Sequence, residues 1–118
     1  MSEQETSNEE LLQMGIRAAK QGQKEGARVM LRQVYSRDKR NERAMLWLAR
    51  VARNTNERRQ WLDRVLKINP NNEAAQNMLS KLNYQDAARD NRTLLVWGLG
   101  LAVLIMVTIG VILIVLSL

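Results

Sequence analysis

Residues 7–35 read SNEELLQMGIRAAKQGQKEGARVMLRQVY, and they decide the fold because they contain two amphipathic helices and the turn between them. Ser7 and Glu10 have the spacing of a capping box, so Ser7 is predicted to cap the first helix. Gly15 and Ala18 lie on its apolar face, and Gly22 can end it in a left-handed turn. A second apolar stripe follows at helical spacing: Ala27, Met30, Leu31, Val34 and Tyr35. The stretch therefore predicts a helical hairpin.

Three further helices are predicted between this hairpin and residue 83. Asn41 is a cap for the third helix, and Asn54-Thr55-Asn56 forms a polar turn before the fourth. The fourth helix stops at Asn69-Pro70, because a residue before proline avoids helical geometry, and Asn72 can cap the fifth. Their apolar stripes are Met45, Leu48, Ala49 and Ala52; Trp61, Leu62, Val65 and Leu66; and Ala75, Met78, Leu79 and Leu82. No strand-like alternation competes, so the predicted fold is all-α.

The 25 residues from Leu94 to Leu118 contain no charged side chain. As a helix they would extend about 37 Å, against a hydrocarbon core of about 30 Å. The segment 93–118 is therefore predicted to be a single transmembrane helix. Because the sequence stops inside this run, we expect a tail-anchored protein with everything else on one side of the membrane.

Composition excludes several kinds of chemistry. The chain has neither Cys nor His, which rules out zinc fingers, thiol catalysis and imidazole acid–base catalysis. The acids of the helical part show no paired spacing, and no glycine-rich loop precedes a helix to hold a phosphate. We expect no enzyme activity, no catalytic residue, no metal and no cofactor.

Charge is distributed unevenly along the chain. Residues 1–10 hold four of the 12 acids and no base, so the other 108 residues carry 18 bases and 8 acids, a net charge of +10. The acidic residues 1–7 are predicted to be disordered. Lys81, Arg89 and Arg92 precede the apolar run, which places the N-terminal domain in the cytoplasm, with the inner membrane of a bacterium as the expected location. Arg89, Arg92 and Trp97 would mark the membrane interface and contact anionic lipid headgroups.

The helical part resembles the tetratricopeptide repeat (TPR), a 34-residue helical hairpin that stacks on its neighbours. A shift of 34 residues places Met45, Ala49 and Ala52 on Leu11, Gly15 and Ala18, which carry the resemblance together with Gly22, Ala27, Leu31 and Val34. The second unit departs from the pattern, because it is three residues short at 54–56 and lacks the turn glycine. The resemblance implies two TPR-like hairpins plus a closing helix over residues 8–83, followed by a juxtamembrane, helical linker at 84–92.

TPR proteins mostly bind peptides or proteins on the face formed by the first helix of each hairpin. Carried over residue by residue, this resemblance implies a groove that includes Leu12 and Ile16 and, as its binding residues, Lys20, Arg43, Trp47, Arg50, Arg53 and Lys81. Arg recognises carboxylates in a bidentate manner, and Trp and Arg dominate interface hot spots, so the groove suits an acidic peptide. In the alternative interpretation, Trp47 packs against the membrane-proximal helices and the arginines are only solvated.

The sequence thus predicts a non-catalytic, membrane-anchored adaptor or accessory subunit that docks onto a protein partner in a membrane complex. One alternative is a passive structural subunit that binds mainly through its membrane helix, where Gly98, Ala102 and Gly110 provide a flat packing surface. The other is a membrane-tethered nucleic-acid-binding protein, with phosphate contacts from Arg28, Arg32, Arg58, Arg59 and Arg64. Because these bases are spread over several helices, the sequence disfavours nucleic acid.

Overall fold

The computed structural model describes residues 2–118, which form five helices and no strand. The helices are α1 (Glu3–Lys20), α2 (Lys24–Arg37), α3 (Glu42–Arg50), α4 (Thr55–Ile68) and α5 (Glu73–Ser117). The predicted all-α fold, with two hairpins, a closing helix and a long apolar helix, is confirmed. The chain divides into two compact units, one up to Leu82 and one from Asn83.

The first helix begins earlier than predicted. Ser2 is its N-cap, and Ser2 and Glu5 form a complete capping box, in which the Glu5 N–H donates to the Ser2 hydroxyl at 3.2 Å. Residues 3–7 are therefore helical in the structure, and the predicted start at Ser7 is wrong. The sequence contains two capping boxes in succession, and no glycine or proline separates them, so the helix extends to the outer one.

A left-handed glycine closes α1 as predicted. Gly22 has φ +81°, its N–H donates to the Ala19 carbonyl at 3.1 Å, and the Gln23 N–H donates to the Ala18 carbonyl at 2.9 Å. These two bonds make a Schellman motif, which satisfies carbonyls that the helix itself leaves free. The turn brings α1 and α2 together.

Close approach of α1 and α2 requires a second glycine. A Cβ atom on Gly15 would stand 2.9 Å from both Cγ and Cδ2 of Leu31. Leu31 is fully buried in the core, together with Val34 of α2 and Leu48 and Leu62 of the second hairpin. The absence of a side chain at Gly15 therefore sets how closely the first hairpin packs.

The second hairpin closes without a turn glycine. At the C-terminal end of α3, which has only nine residues, carbonyls that have no partner within the helix accept hydrogen bonds from arginines of two other helices. The buried Arg28 of α2 donates to the Val51 carbonyl and to Glu25, and Arg58 of α4 donates from Nε to the Ala49 carbonyl at 3.0 Å. Cationic donors suit the negative end of a helix, so the two side chains replace the missing glycine motif.

Glu57 stabilises the α3–α4 turn. It accepts a hydrogen bond from the backbone N–H of Arg53 at 3.1 Å and another from Arg32 at 3.0 Å. The first bond, and then the charge and hydrogen bond of Arg32, lower the pKa of Glu57 below its ordinary value.

Asparagine caps begin the last three helices, at the predicted Asn41 and Asn72 and at Asn54, the first residue of the predicted polar turn. The side-chain oxygens of Asn41, Asn54 and Asn72 accept from backbone N–H groups three residues later, at 3.0, 2.8 and 3.0 Å. Glu42 accepts from the side chains of Asn72 and Asn69, both at 2.9 Å, and these bonds lower the pKa of Glu42. They tie the start of α3 to the start of α5, whose Ala75 and Leu82 are buried in the core.

The second unit is helical from Asn83 to Ser117, including the residues of the predicted linker. Its 18-residue apolar window has a mean hydropathy of 3.1, and none of it is buried. The polar side chains of this stretch are satisfied locally, because the hydroxyls of Thr108 and Ser117 both donate to backbone carbonyls three residues earlier at 2.8 Å. By length and composition this segment of α5 can span a membrane.

Candidate basic–aromatic binding sites

Three of the six predicted groove residues come together in the structure. Trp47 of α3 is half-buried, with the Arg50 guanidinium carbon 4.4 Å and the Lys20 Nζ 5.8 Å from its ring centroid. These distances are those of cation–π contacts. We call Lys20, Trp47 and Arg50 the Trp47 cluster. It lies where α1 and α3 end, and cations there also suit the negative ends of both helices.

The remaining predicted groove residues do not join this cluster. Arg43 pairs with Glu9 at 3.3 Å, and Arg53 pairs with Glu25 at 3.0 Å. Lys81 is exposed on α5 and makes no recorded contact with Trp47 within residues 2–118.

Two apolar residues assigned to the groove lie in the core instead. Leu12 is 1% exposed and Ile16 is 6% exposed, so neither lines an open surface. The expectation for these two is wrong because α1 packs against α3 as well as α2, which covers a wider stripe of α1 than a single partner helix would.

The Trp47 cluster contains two positive charges that no acidic side chain among residues 2–118 neutralises. Within the part of the chain that the structure describes, neither Lys20 nor Arg50 forms an ion pair. An arginine stacked on a ring keeps its N–H groups free at the edge of the guanidinium plane, where a carboxylate can bind in a bidentate manner. The half-buried indole provides apolar contact area beside that edge.

A second cluster, which the sequence reasoning missed, lies between α2 and α4. Tyr35 and Trp61 meet edge to face, with ring centroids 5.0 Å apart and an interplanar angle of 87°. The Arg64 guanidinium carbon is 4.5 Å from the Trp61 centroid and 5.8 Å from that of Tyr35. A groove of about 390 Å³ surrounds them, and we call it the Trp61 groove; its lining is Arg32, Tyr35, Glu57, Gln60, Trp61 and Arg64.

A signal for this cluster is present in the sequence. Residues 47–51 read WLARV and residues 61–65 read WLDRV, so each Trp is followed three residues later by Arg. Residues three apart lie on the same helical face, which places each arginine over its tryptophan. The two clusters share no residue.

Most of the arginines considered for nucleic acid are engaged within the fold. Arg28 is buried, Arg58 binds the Ala49 carbonyl, and Arg32 pairs with Glu57. Arg64 stacks on Trp61. Four of the five arginines are therefore already in contact with other groups of the protein.

The residues predicted for helix packing and for the interface lie along the second unit, and all are exposed except Gly110, which is half-buried. A Cβ atom on Gly98 or Gly110 would meet nothing within 4 Å, and Trp97 is 75% exposed. Arg89 and Arg92 precede Trp97 on the same helix and are exposed as well.

Among residues 2–118 no group of three or more Asp or Glu side chains is placed to hold a metal ion.

Comparison with known proteins identifies one family. The family model described as tetratricopeptide repeat matches residues 18–82, which is more than half of the chain. No curated protein and no solved structure matches the chain.

Proposed function

The chain belongs to the tetratricopeptide repeat family, and from this premise we propose that it is a non-catalytic adaptor, held in a membrane by α5, which docks a protein partner at the Trp47 cluster. TPR domains generally mediate protein–protein interaction. The unpaired Lys20 and Arg50 around a half-buried Trp47 are the observation that carries the proposal. The arrangement suits an acidic segment of the partner.

Docking would proceed through complementary charge and a small apolar contact. Long-range attraction to the basic domain brings an acidic segment close, and the Arg50 edge then binds a carboxylate beside the indole. Because Arg50 is already stacked on Trp47, little side-chain freedom is lost on binding. Arg43, which pairs with Glu9, and Arg53, which shares the carboxylate of Glu25 with Arg28, would contribute less.

The apolar segment of α5 would determine the location and orientation of the adaptor. We propose that α5 spans the membrane once, that the repeat domain faces the cytoplasm, and that Arg89, Arg92 and Trp97 contact anionic headgroups and the interface. The bases before Leu94 support this orientation, and a bacterial inner membrane suits it. The proposed partner is itself part of a membrane complex.

Affinity capture of the full chain in a mild detergent tests the docking proposal. We expect Arg50→Gln and Trp47→Ala each to weaken partner binding by about 2 kcal/mol, the loss typical of a hot-spot residue, which is roughly thirtyfold in affinity. Less of the partner should then be recovered. Arg17→Gln is the matched control, since Arg17 is exposed on α1 and has the same charge. Recovery that is unchanged in both Trp47-cluster variants would contradict the proposal.

The same experiment separates the rival in which the membrane helix makes the main contact. Gly98 and Ala102 have small-residue spacing, and the space around Gly98 is open. If Gly98→Leu/Ala102→Leu removes the partner while Arg50→Gln retains it, the chain is a structural subunit that binds through its membrane helix.

A further inference from the structure

The Trp61 groove has features of a binding site that the Trp47 cluster does not account for. It lies between the second helices of the two hairpins, whereas the Trp47 cluster lies between the first. Its volume of about 390 Å³ is within the range of small binding sites, so the stacked Arg64 leaves room for another group.

One charge in the groove is uncompensated. Glu57 binds Arg32 at 3.0 Å and also accepts from the Arg53 N–H, so Arg32 and Glu57 satisfy each other. Arg64 forms no ion pair within residues 2–118. The groove therefore carries one net positive charge, which is located on the Arg64 guanidinium, 4.5 Å from the Trp61 ring centroid.

The aromatic pair beneath Arg64 determines the rest of the chemistry. Trp61 is almost fully buried and Tyr35 is half-buried, so their rings form a fixed apolar floor. An edge-to-face pair holds its geometry, and it fixes the guanidinium that stacks on it. A ligand would then place a carboxylate on Arg64 and an apolar group against the exposed part of Tyr35.

We propose that the Trp61 groove is a second docking site, which takes an acidic segment of a partner protein with an apolar residue next to the carboxylate. Charge complementarity selects this occupant, since the unpaired Arg64 is the only uncompensated charge in the lining. A chain with both sites would bind two acidic segments at once and so join two parts of a complex.

Titration calorimetry with a defined probe tests the second site. The protein is the full chain in micelles of an uncharged detergent. The probe is an eight-residue peptide of alternating Glu and Leu with blocked termini, and the control peptide has Gln in place of Glu. We expect two acidic peptides to bind per chain and the control peptide to bind to neither site.

Substitutions assign each binding event to its site. Arg64→Gln should weaken peptide binding at the Trp61 groove by about tenfold or more, as expected for the loss of one charge-assisted hydrogen bond. One of the two binding events should then no longer be detected. Gln60→Glu should have the same effect, because it adds a repelling carboxylate to the groove and leaves the Arg64–Trp61 stack in place. Arg17→Gln should retain both events, and circular dichroism confirms that each variant is folded.

The outcomes distinguish this inference from the proposed function. If Arg64→Gln and Gln60→Glu bind as many acidic peptides as the unaltered chain, the second site does not exist, whatever the Trp47 cluster does. Equal binding of the Gln control peptide to the groove would overturn the inference as well. If Arg50→Gln changes nothing while Arg64→Gln abolishes binding, the Trp47 cluster fails and the Trp61 groove stands.

Discussion

Replacing Gly15 by alanine tests the close packing of α1 on α2. The new Cβ would stand 2.9 Å from Cγ and Cδ2 of Leu31 and 3.4 Å from Cβ of Met30. Carbon atoms pack best at about 3.5–4.0 Å, so the helices must separate or Leu31 must leave its rotamer. Such overpacking costs about 1–3 kcal/mol. Alanine also favours the helix by about 1 kcal/mol relative to glycine, which offsets part of that cost.

Gly26 provides a control with the same chemistry and no clash. It lies in α2, and a Cβ there would meet nothing within 4 Å. Gly26→Ala should therefore raise the free energy of unfolding by about 0.5–1 kcal/mol. The difference between the two alanine variants isolates the steric contribution, which we expect to be about 1–3 kcal/mol.

Urea unfolding of the full chain in neutral detergent, followed by tryptophan fluorescence, measures both variants. Trp47 and Trp61 report on the repeat domain. In a Leu31→Ala background the clashing atoms are gone, so Gly15→Ala should then stabilise the protein, and the double-mutant cycle gives the coupling energy. If Gly15→Ala stabilises the unaltered chain as much as Gly26→Ala does, α1 and α2 are not in close contact here and the reasoning is refuted.

Three other substitutions test the turns and caps by the same assay. Gly22→Ala places a Cβ at φ +81° and should cost about 1–2 kcal/mol. Arg28→Ala should cost about 1.5–3 kcal/mol, because the Val51 carbonyl loses a charged donor, whereas Arg17→Ala should stay within about 0.5 kcal/mol. Hydrogen bonds lower the pKa of Glu42 in the folded state, so its contribution is full above the unfolded value of about 4.3 and is lost as pH falls through the lower folded value. Glu42→Gln should reduce this loss of stability in acid, and an unchanged pH dependence would contradict the assignment.

The sequence predicts those parts of the fold that short-range chemistry determines. Asn41, Asn54 and Asn72 cap helices because a side-chain oxygen reaches a backbone N–H three residues away, and Gly22 ends one because only glycine is unstrained there. The start of α1 was not predictable in this way, since two capping boxes of equal quality follow each other. Local spacing alone does not say whether Ser2 or Ser7 is the N-cap of α1.

The site residues depend on contacts between distant parts of the chain, and these were only partly predictable. Arg28 looks like an ordinary exposed arginine until the α3 C-terminus lies beside it. Arg43 and Glu9, by contrast, are 34 residues apart, which is one repeat, so their pairing is encoded in the repeat spacing. Equivalent positions in stacked repeats are neighbours, so opposite charges there neutralise each other.

Arginine capping of α3 also links the stability of the second hairpin to that of the first. A helix of nine residues is too short to persist by itself in water, and its last carbonyls find their donors on α2 and α4. We therefore expect the two repeats to unfold together as one cooperative unit, with amide hydrogens of α3 exchanging only as fast as the whole domain opens.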